Sequence, residues 1–290
     1  HVERIGEGFD WSEGPVWDRR TRTLLFSDVP RNRVFQWQEG KGISEFLKPS
    51  GYTGKIPRGG EPGSNGLLMD KEGRLVLCQH GDRRVARLEA DGSFKTLADR
   101  YEGKRLNSPN DGAYKSNGDL YFTDPPYGLL GLNKDPNKEL DFNGVYRLSA
   151  KDGSLTLLTR ELTFPNGIAF SPDEKTLYVA NSDPKKSIWM TFPVNEDGLL
   201  GTGKVFHDTT NLVATRKGLP DGLKTDQAGN VFATGPGGVF VFAPDGTHLG
   251  TFATGEATGN CCWGEDGSTL FITADMYIGR VRLTTKGAGF

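Results

Sequence analysis

Six oxygen-bearing side chains stand directly before six glycines in this 290-residue chain: Glu13, Asn65, Asp111 with Asn110 beside it, Asn166, Asp221 and Thr258. None is His or Cys. Hard donors of mixed carboxylate and amide character suit Ca²⁺, which takes six to eight oxygens at about 2.3–2.6 Å. Zn²⁺ prefers nitrogen or sulfur. If these positions meet in a narrow space, their carboxylates repel, and a divalent cation (Ca²⁺, or else Zn²⁺, Mn²⁺ or Mg²⁺) relieves the repulsion. Asn and Asp before Gly are also common turn formers. Glu13 is a poor turn residue at the same phase, so the set reads as a binding site and not as a row of turns.

The elements that would gather them form a repeat. The glycines are residues 14, 66, 112, 167, 222 and 259, at spacings of 52, 46, 55, 55 and 37. The 31 residues after Gly259 and the first 14 of the chain together make one further period. Each copy carries short β-branched or aromatic runs (LLF, RLVL, DLYF, TLYV, NVFA, TLFI) behind turn tetrads such as KEGR, SNGD and EDGS. No amphipathic run of helical length is present. A period of about 40–50 residues is one four-stranded propeller blade. The expectation is an all-β, six-bladed propeller of four-stranded antiparallel blades spanning 1–290 as a single domain. The N-terminal strand closes the last blade and removes an open edge. A sandwich would not show six equivalent phases. Since first strands line the axis, the residues before the six glycines are predicted to converge at one channel mouth.

A second ring is expected where the second strands end: Asp28, His80, Asp124, Asn181 or Asp183, and Asp275. His80 could shuttle protons there, or else cap and pack. Asp124 precedes Pro125-Pro126, so it either contacts a bound small molecule or starts a turn. With Asn107 and Asn110, His80 and Asp124 make up the candidate substrate contacts. Segments 49–63 and 127–142 exceed what a hairpin needs and are expected to rim the pocket. Cys78, Cys261 and Cys262 form neither a disulfide framework nor a zinc site. Cys78 reads as a buried strand residue.

Bulk properties narrow the classes further. Lys plus Arg (35) nearly balance Asp plus Glu (37), and no basic stripe exists, so nucleic acid is not an expected partner. No apolar run approaches the roughly 20 residues that span a bilayer. The 40 glycines, about twice average usage, fit many tight turns. The expected partner is a small molecule, with the protein a monomer or homodimer. The chain starts at His1 without a signal-type apolar stretch, and the expected location is cytoplasmic or periplasmic.

The stretches WSEGPVW (11–17), SPNDGAY (108–114), FPNGIAFSPDEKTLYVANS (164–182) and PDGLKTDQAGNVFAT (220–234) resemble the regucalcin/gluconolactonase family, and RLNSPNDG with YFTDPPYGL (105–129) resembles its bacterial gluconolactonase branch. The resemblance implies a six-bladed propeller that hydrolyses sugar lactones. It implies that Glu13, Asn166 and Asp221 bind a cation, that Asn110 is a further ligand or substrate contact, and that Asp221 takes part in catalysis. Ser108 departs from close regucalcin relatives, which place an Arg there; the nearest here is Arg105. In such a site the cation polarises the carbonyl. Asp221 then serves as base, as orienter of water, or as nucleophile. A phosphotriesterase-type hydrolase on the same ring is one alternative. A non-catalytic binding propeller plugged by Ca²⁺ is another.

Overall fold

Short apolar runs alternating with Gly-centred turns build sheets, and a computed structural model covering residues 1–290 contains almost nothing else. Six four-stranded antiparallel sheets form. Blade 1 runs Ser12–Asp18, Thr23–Asp28, Arg33–Gln38 and Gly42–Leu47, and blade 2 runs Ser64–Met69, Leu75–Gln79, Arg84–Leu88 and Phe94–Ala98. Blade 3 runs Gly112–Tyr114, Leu120–Asp124, Gly144–Leu148 and Leu155–Thr159. Blade 4 runs Pro165–Phe170, Thr176–Asp183, Lys186–Pro193 and Lys204–Asp208. Blade 5 runs Leu223–Thr225, Val231–Gly235, Gly238–Phe242 and His248–Ala253. Blade 6 takes Thr258–Gly264, Thr269–Ala274 and Tyr277–Arg282 from the C-terminal end. The N-terminal strand Glu3–Glu7 is its outermost member, in antiparallel register with Tyr277–Arg280. The propeller and its closure are therefore as expected from the repeat. A small hairpin, Arg100–Tyr101 with Lys104–Arg105, is the one addition, and the only helical turns are two 3₁₀ segments, Leu132–Lys134 and Thr210–Leu212. No helix is long and apolar enough to cross a membrane.

The hydrophobic interior is divided by blade. Six apolar clusters form, one at each interface between neighbouring blades. This follows from the pleat: successive side chains face opposite sides of a sheet, and each blade is covered on both. Cys78, Cys261 and Cys262 lie in three different clusters, free and buried. Burial pushes the Cys261 thiol up to about 12. Cys78 and Cys261 have no exposed surface and Cys262 is only 4% exposed, away from Glu13, Asn166 and Asp221, so nothing argues for a thiol nucleophile.

The first strands of neighbouring blades pack side by side around the axis, and the recurring glycine is what lets them approach. A Cβ on Gly14 would sit 1.9 Å from the Asn65 carbonyl oxygen of blade 2, and one on Gly167 would sit 2.2 Å from the Asp221 carbonyl oxygen. Gly167→Ala is therefore expected to destabilise the fold by about 3 kcal/mol, because the obstacle is backbone and cannot swing aside. It should also displace Asp221. Denaturant unfolding tests the first effect; a variant as stable as wild type would contradict this packing.

Candidate active site at one channel mouth

At four of the six glycines the strand register also breaks. The pairing of first and second strands slips between Glu13 and Val16, Ser64 and Leu67, Pro165 and Ile168, and Thr258 and Asn260. A β-bulge re-aims the side chains beside it. Hydroxyls on second strands then pin the bulged residue of the next blade. Ser27 Oγ donates to the Asn65 carbonyl (2.9 Å) and Thr123 Oγ1 to the Asn166 carbonyl (2.7 Å). Ser182 Oγ donates to the Pro220 carbonyl, next to Asp221.

These devices bring Glu13, Asn65, Asn110, Asn166 and Asp221 into the wall of one cavity of about 420 Å³, within the size range of small-ligand sites. Glu13 is 1% exposed. Its Oε2 accepts from Gly14 N at 2.8 Å. The Oδ1 atoms of Asn65, Asn110, Asn166 and Asp221 are buried with no hydrogen-bond partner. Buried polar atoms are normally satisfied, so four orphaned oxygens in one wall ask for a ligand. The electrostatics agree. Burial pushes Glu13 up to about 8, with the Asp111 and Glu61 carboxylates adding to the rise against the Gly14 hydrogen bond. Burial, and then the Glu13 charge, hold Asp221 well above the usual carboxylate range.

This donor set fits a hard divalent cation. It has two carboxylates, whose charges such an ion balances, and three amide oxygens; Ca²⁺ takes six to eight oxygens. No His or Cys is among the residues that line this cavity, and those are the ligands that a nitrogen- or sulfur-seeking ion prefers.

Other expected residues lie elsewhere. Asp111 does not join Asn110 at the mouth. It sits one step along the channel, where Asn260 Nδ2 donates to it at 3.1 Å and Lys224 Nζ lies 4.0 Å away. Thr258 is engaged with Thr254 (2.7 Å) and lines no part of the cavity. Asp124 and Asn107 stand behind the wall rather than in it. The Asp124 carboxylate accepts from Asn107 N and Ser108 N, both at 2.8 Å, and Asn107 Nδ2 is committed to Asp124 O, Phe142 O and Asn143 Oδ1. Asp28 does the same for Asp10 N and Trp11 N, and Asn181 for Phe164 N. The second ring is thus a set of caps that hold the segments entering the first strands. His80 is fully buried behind Asn110, whose amide nitrogen donates to its Nε2 at 3.3 Å.

The two long segments each send one side chain into the cavity, Glu61 from 49–63 and Tyr127 from 127–142. Trp11, Ser182, Pro184, Val213, Arg216, Gly218 and Leu219 complete the wall. Nothing at the glycine phase marks these residues. Only the second-strand hydroxyls Ser27, Thr123, Ser182 and Thr234 carry a repeated signal that could have located the pinning contacts. A larger cavity of about 770 Å³ opens at the opposite mouth. Its acidic residues are engaged: Asp18 with Arg20, Asp70 with Arg74, and Glu174 with Ser116. The acid–amide set is at the first mouth alone.

A six-bladed propeller with such a mouth defines a class, and the comparison with known proteins agrees: residues 11–275 match the SMP-30/gluconolactonase/LRE-like region, and the chain belongs to that family. Among its relatives is the gluconolactonase of Zymomonas mobilis, 43% identical over 99% of this chain and 82% of that protein. The solved gluconolactonase of Xanthomonas campestris superposes with a TM-score of 0.85 at 34% identity, covering 98% of this chain and 89% of that one. Diisopropyl-fluorophosphatase of Loligo vulgaris is 24% identical over 84% of this chain and 78% of that protein.

Proposed function

We propose that this chain hydrolyses sugar lactones of the gluconolactone type at the Glu13–Asn166–Asp221 mouth, with a Ca²⁺-type divalent cation as cofactor. The single observation that carries the cation is the row of four unpartnered buried oxygens beside the buried Glu13. The substrate class is supported by the kinship with gluconolactonases of Zymomonas and Xanthomonas over nearly the whole chain.

Glu13, Asn166 and Asp221 would hold the ion, with Asn65 and Asn110 offering their free Oδ1 atoms beside them. A cation bound there supplies a Lewis acid for the lactone carbonyl and charge stabilisation for the oxyanion that develops on it. Asp221 is anchored through its backbone, N donating to Thr234 O at 3.0 Å, while Oδ1 has no protein partner. With one carboxylate oxygen given to the ion, the other would orient a water and accept its proton as the water adds to the carbonyl carbon. The ring C–O bond then breaks, and the ring oxygen leaves as the hydroxyl of the aldonate, taking the proton that Asp221 accepted from the water. Glu13 faces the same cavity and stays fixed by Gly14 N. With Asp221 it gives the ion two carboxylates, whose charges match one divalent cation.

A second reading, phosphotriester hydrolysis, rests on the kinship with the Loligo diisopropyl-fluorophosphatase. One assay separates the two: turnover of glucono-δ-lactone and of a fluorophosphate by the same preparation, with calcium and after complete chelation. The expected result is lactone turnover that chelation abolishes and calcium restores. Lactone hydrolysis undiminished after full metal removal would sink the cation's part in it. Turnover of the fluorophosphate alone would move the assignment to the second reading.

A further inference from the structure

Glu61 enters the cavity from the long 49–63 segment and lines it together with the residues assigned to the cation. The segment is held in place by its own network. Asn32 Oδ1 accepts from Ser50 N (3.1 Å), Gly51 N (2.8 Å) and Tyr52 N (3.1 Å), and Asp82 accepts from Thr53 N and Oγ1. Glu61 is therefore delivered by a braced loop.

Its carboxylate has one protein neighbour of opposite polarity, His80 Nδ1, 3.2 Å from Oε2 and set off the hydrogen-bond axis. No Lys or Arg pairs with it. Asn110 Nδ2 donates to His80 Nε2, so in the neutral ring the proton sits on Nδ1, the side that faces Glu61. One buried imidazole thus stands between Glu61 and Asn110. Its Nδ1 edge faces the carboxylate and its Nε2 accepts from the amide, which leaves Asn110 Oδ1 free toward the cavity.

Glu61 is surplus to the cation. Glu13 and Asp221 already balance two charges, and a third carboxylate adds repulsion: its charge contributes to the rise of both neighbours. A carboxylate accepts hydrogen bonds and donates none. When a ligand displaces water from this cavity, Glu61 must receive hydroxyl donors or be left unsatisfied. A site built to bond a hydroxyl discriminates strongly against an analogue without one, for that reason.

We infer that Glu61 is the specificity-determining residue of this site: it accepts hydrogen bonds from the hydroxyl groups of a polyhydroxylated lactone, and His80 positions it together with Asn110. The inference rests on the lactone reading above and adds which group selects hydroxylated rings over plain ones.

The test measures kcat and KM on glucono-δ-lactone and on unsubstituted δ-valerolactone, for wild type, Glu61→Gln and Glu61→Ala in saturating calcium. Glu61 lies at the cavity edge and is 36% exposed, so both variants should fold. The expected result is a rise in KM for glucono-δ-lactone of about tenfold or more in Glu61→Ala, the loss of a charged hydrogen bond. Its kcat should change much less, and the efficiency on δ-valerolactone should hold or rise. Glu61→Gln should fall between, since an amide still accepts. His80→Phe should reproduce the KM rise and also weaken calcium binding by calorimetry, because Asn110 loses its brace. An equal fall on both lactones would make Glu61 a general catalytic or structural group and overturn the inference. So would an unchanged KM in both variants. If wild type hydrolyses neither lactone, the lactone reading itself fails and takes this inference with it.

Discussion

Asp221→Asn lowers kcat on glucono-δ-lactone by about 10²–10⁴-fold, the range spanned by loss of a positioned proton acceptor. The substitution keeps the shape and volume of the side chain and leaves the Asp221 N to Thr234 O bond untouched, so the strand entering blade 5 stays in place. What it removes is the charge that accepts the water's proton and half of the charge that holds the cation. Two readouts separate those losses. Raising calcium recovers whatever part of the defect is weakened ion binding; the part that persists at saturation belongs to proton acceptance. Full activity of the variant at saturating calcium would remove Asp221 from the chemistry. An unfolded variant would be revealed by its thermal midpoint, which is expected not to fall, because a buried carboxylate beside Glu13 is being neutralised.

The second large effect is on stability, and it depends on both pH and metal. Without metal, Glu13 is lifted to about 8 by burial, while a carboxylate in an unfolded chain titrates near about 4.3. Between these values the folded protein holds a proton that the unfolded chain has released. Its stability is therefore full at the acid end and declines as pH rises toward about 8, by about 1.4 kcal/mol per pH unit for one such group. In chelator the thermal midpoint is expected to drop as pH rises across that window. Calcium at a hundredfold excess over its dissociation constant adds about 2.7 kcal/mol. For a chain of this size that amounts to a midpoint gain of several degrees. Glu13→Gln should flatten the pH slope of the metal-free protein and erase most of the calcium response. A calcium-induced shift as large in Glu13→Gln as in wild type would place the ion somewhere else.

Much of the architecture is legible in the chain because it repeats. Six glycines at one phase mark six first strands, and the short remainder after Gly259 forecasts that Glu3–Glu7 completes blade 6. The same phase picks out Glu13, Asn65, Asn166 and Asp221, and at the first three of these a break in register beside the glycine re-aims the preceding side chain. The phase fails where local chemistry competes. Thr258 bonds to Thr254 instead of facing the channel, and in the Asn110-Asp111 pair it is Asn110 that reaches the mouth while Asp111 turns down to Asn260 and Lys224. The second-ring residues share a phase as well, but Asp28, Asp124 and Asn181 spend their oxygens on backbone amides. A carboxylate that caps a strand entry and one that awaits a ligand look alike in sequence.

Periodicity could carry the strand count, the closure and the acidic, amide-rich character of one mouth, since these depend on local patterns that recur six times. It could not carry Glu61, Tyr127, Trp11 or the 213–219 wall, which arrive from irregular segments whose course is set by single contacts such as Asn32 holding Ser50–Tyr52. Nor could it tell that the Oδ1 atoms of Asn65, Asn110, Asn166 and Asp221 would end with no partner. Whether a polar atom is satisfied is a property of everything packed around it, and that surrounding is assembled only when distant blades close the ring.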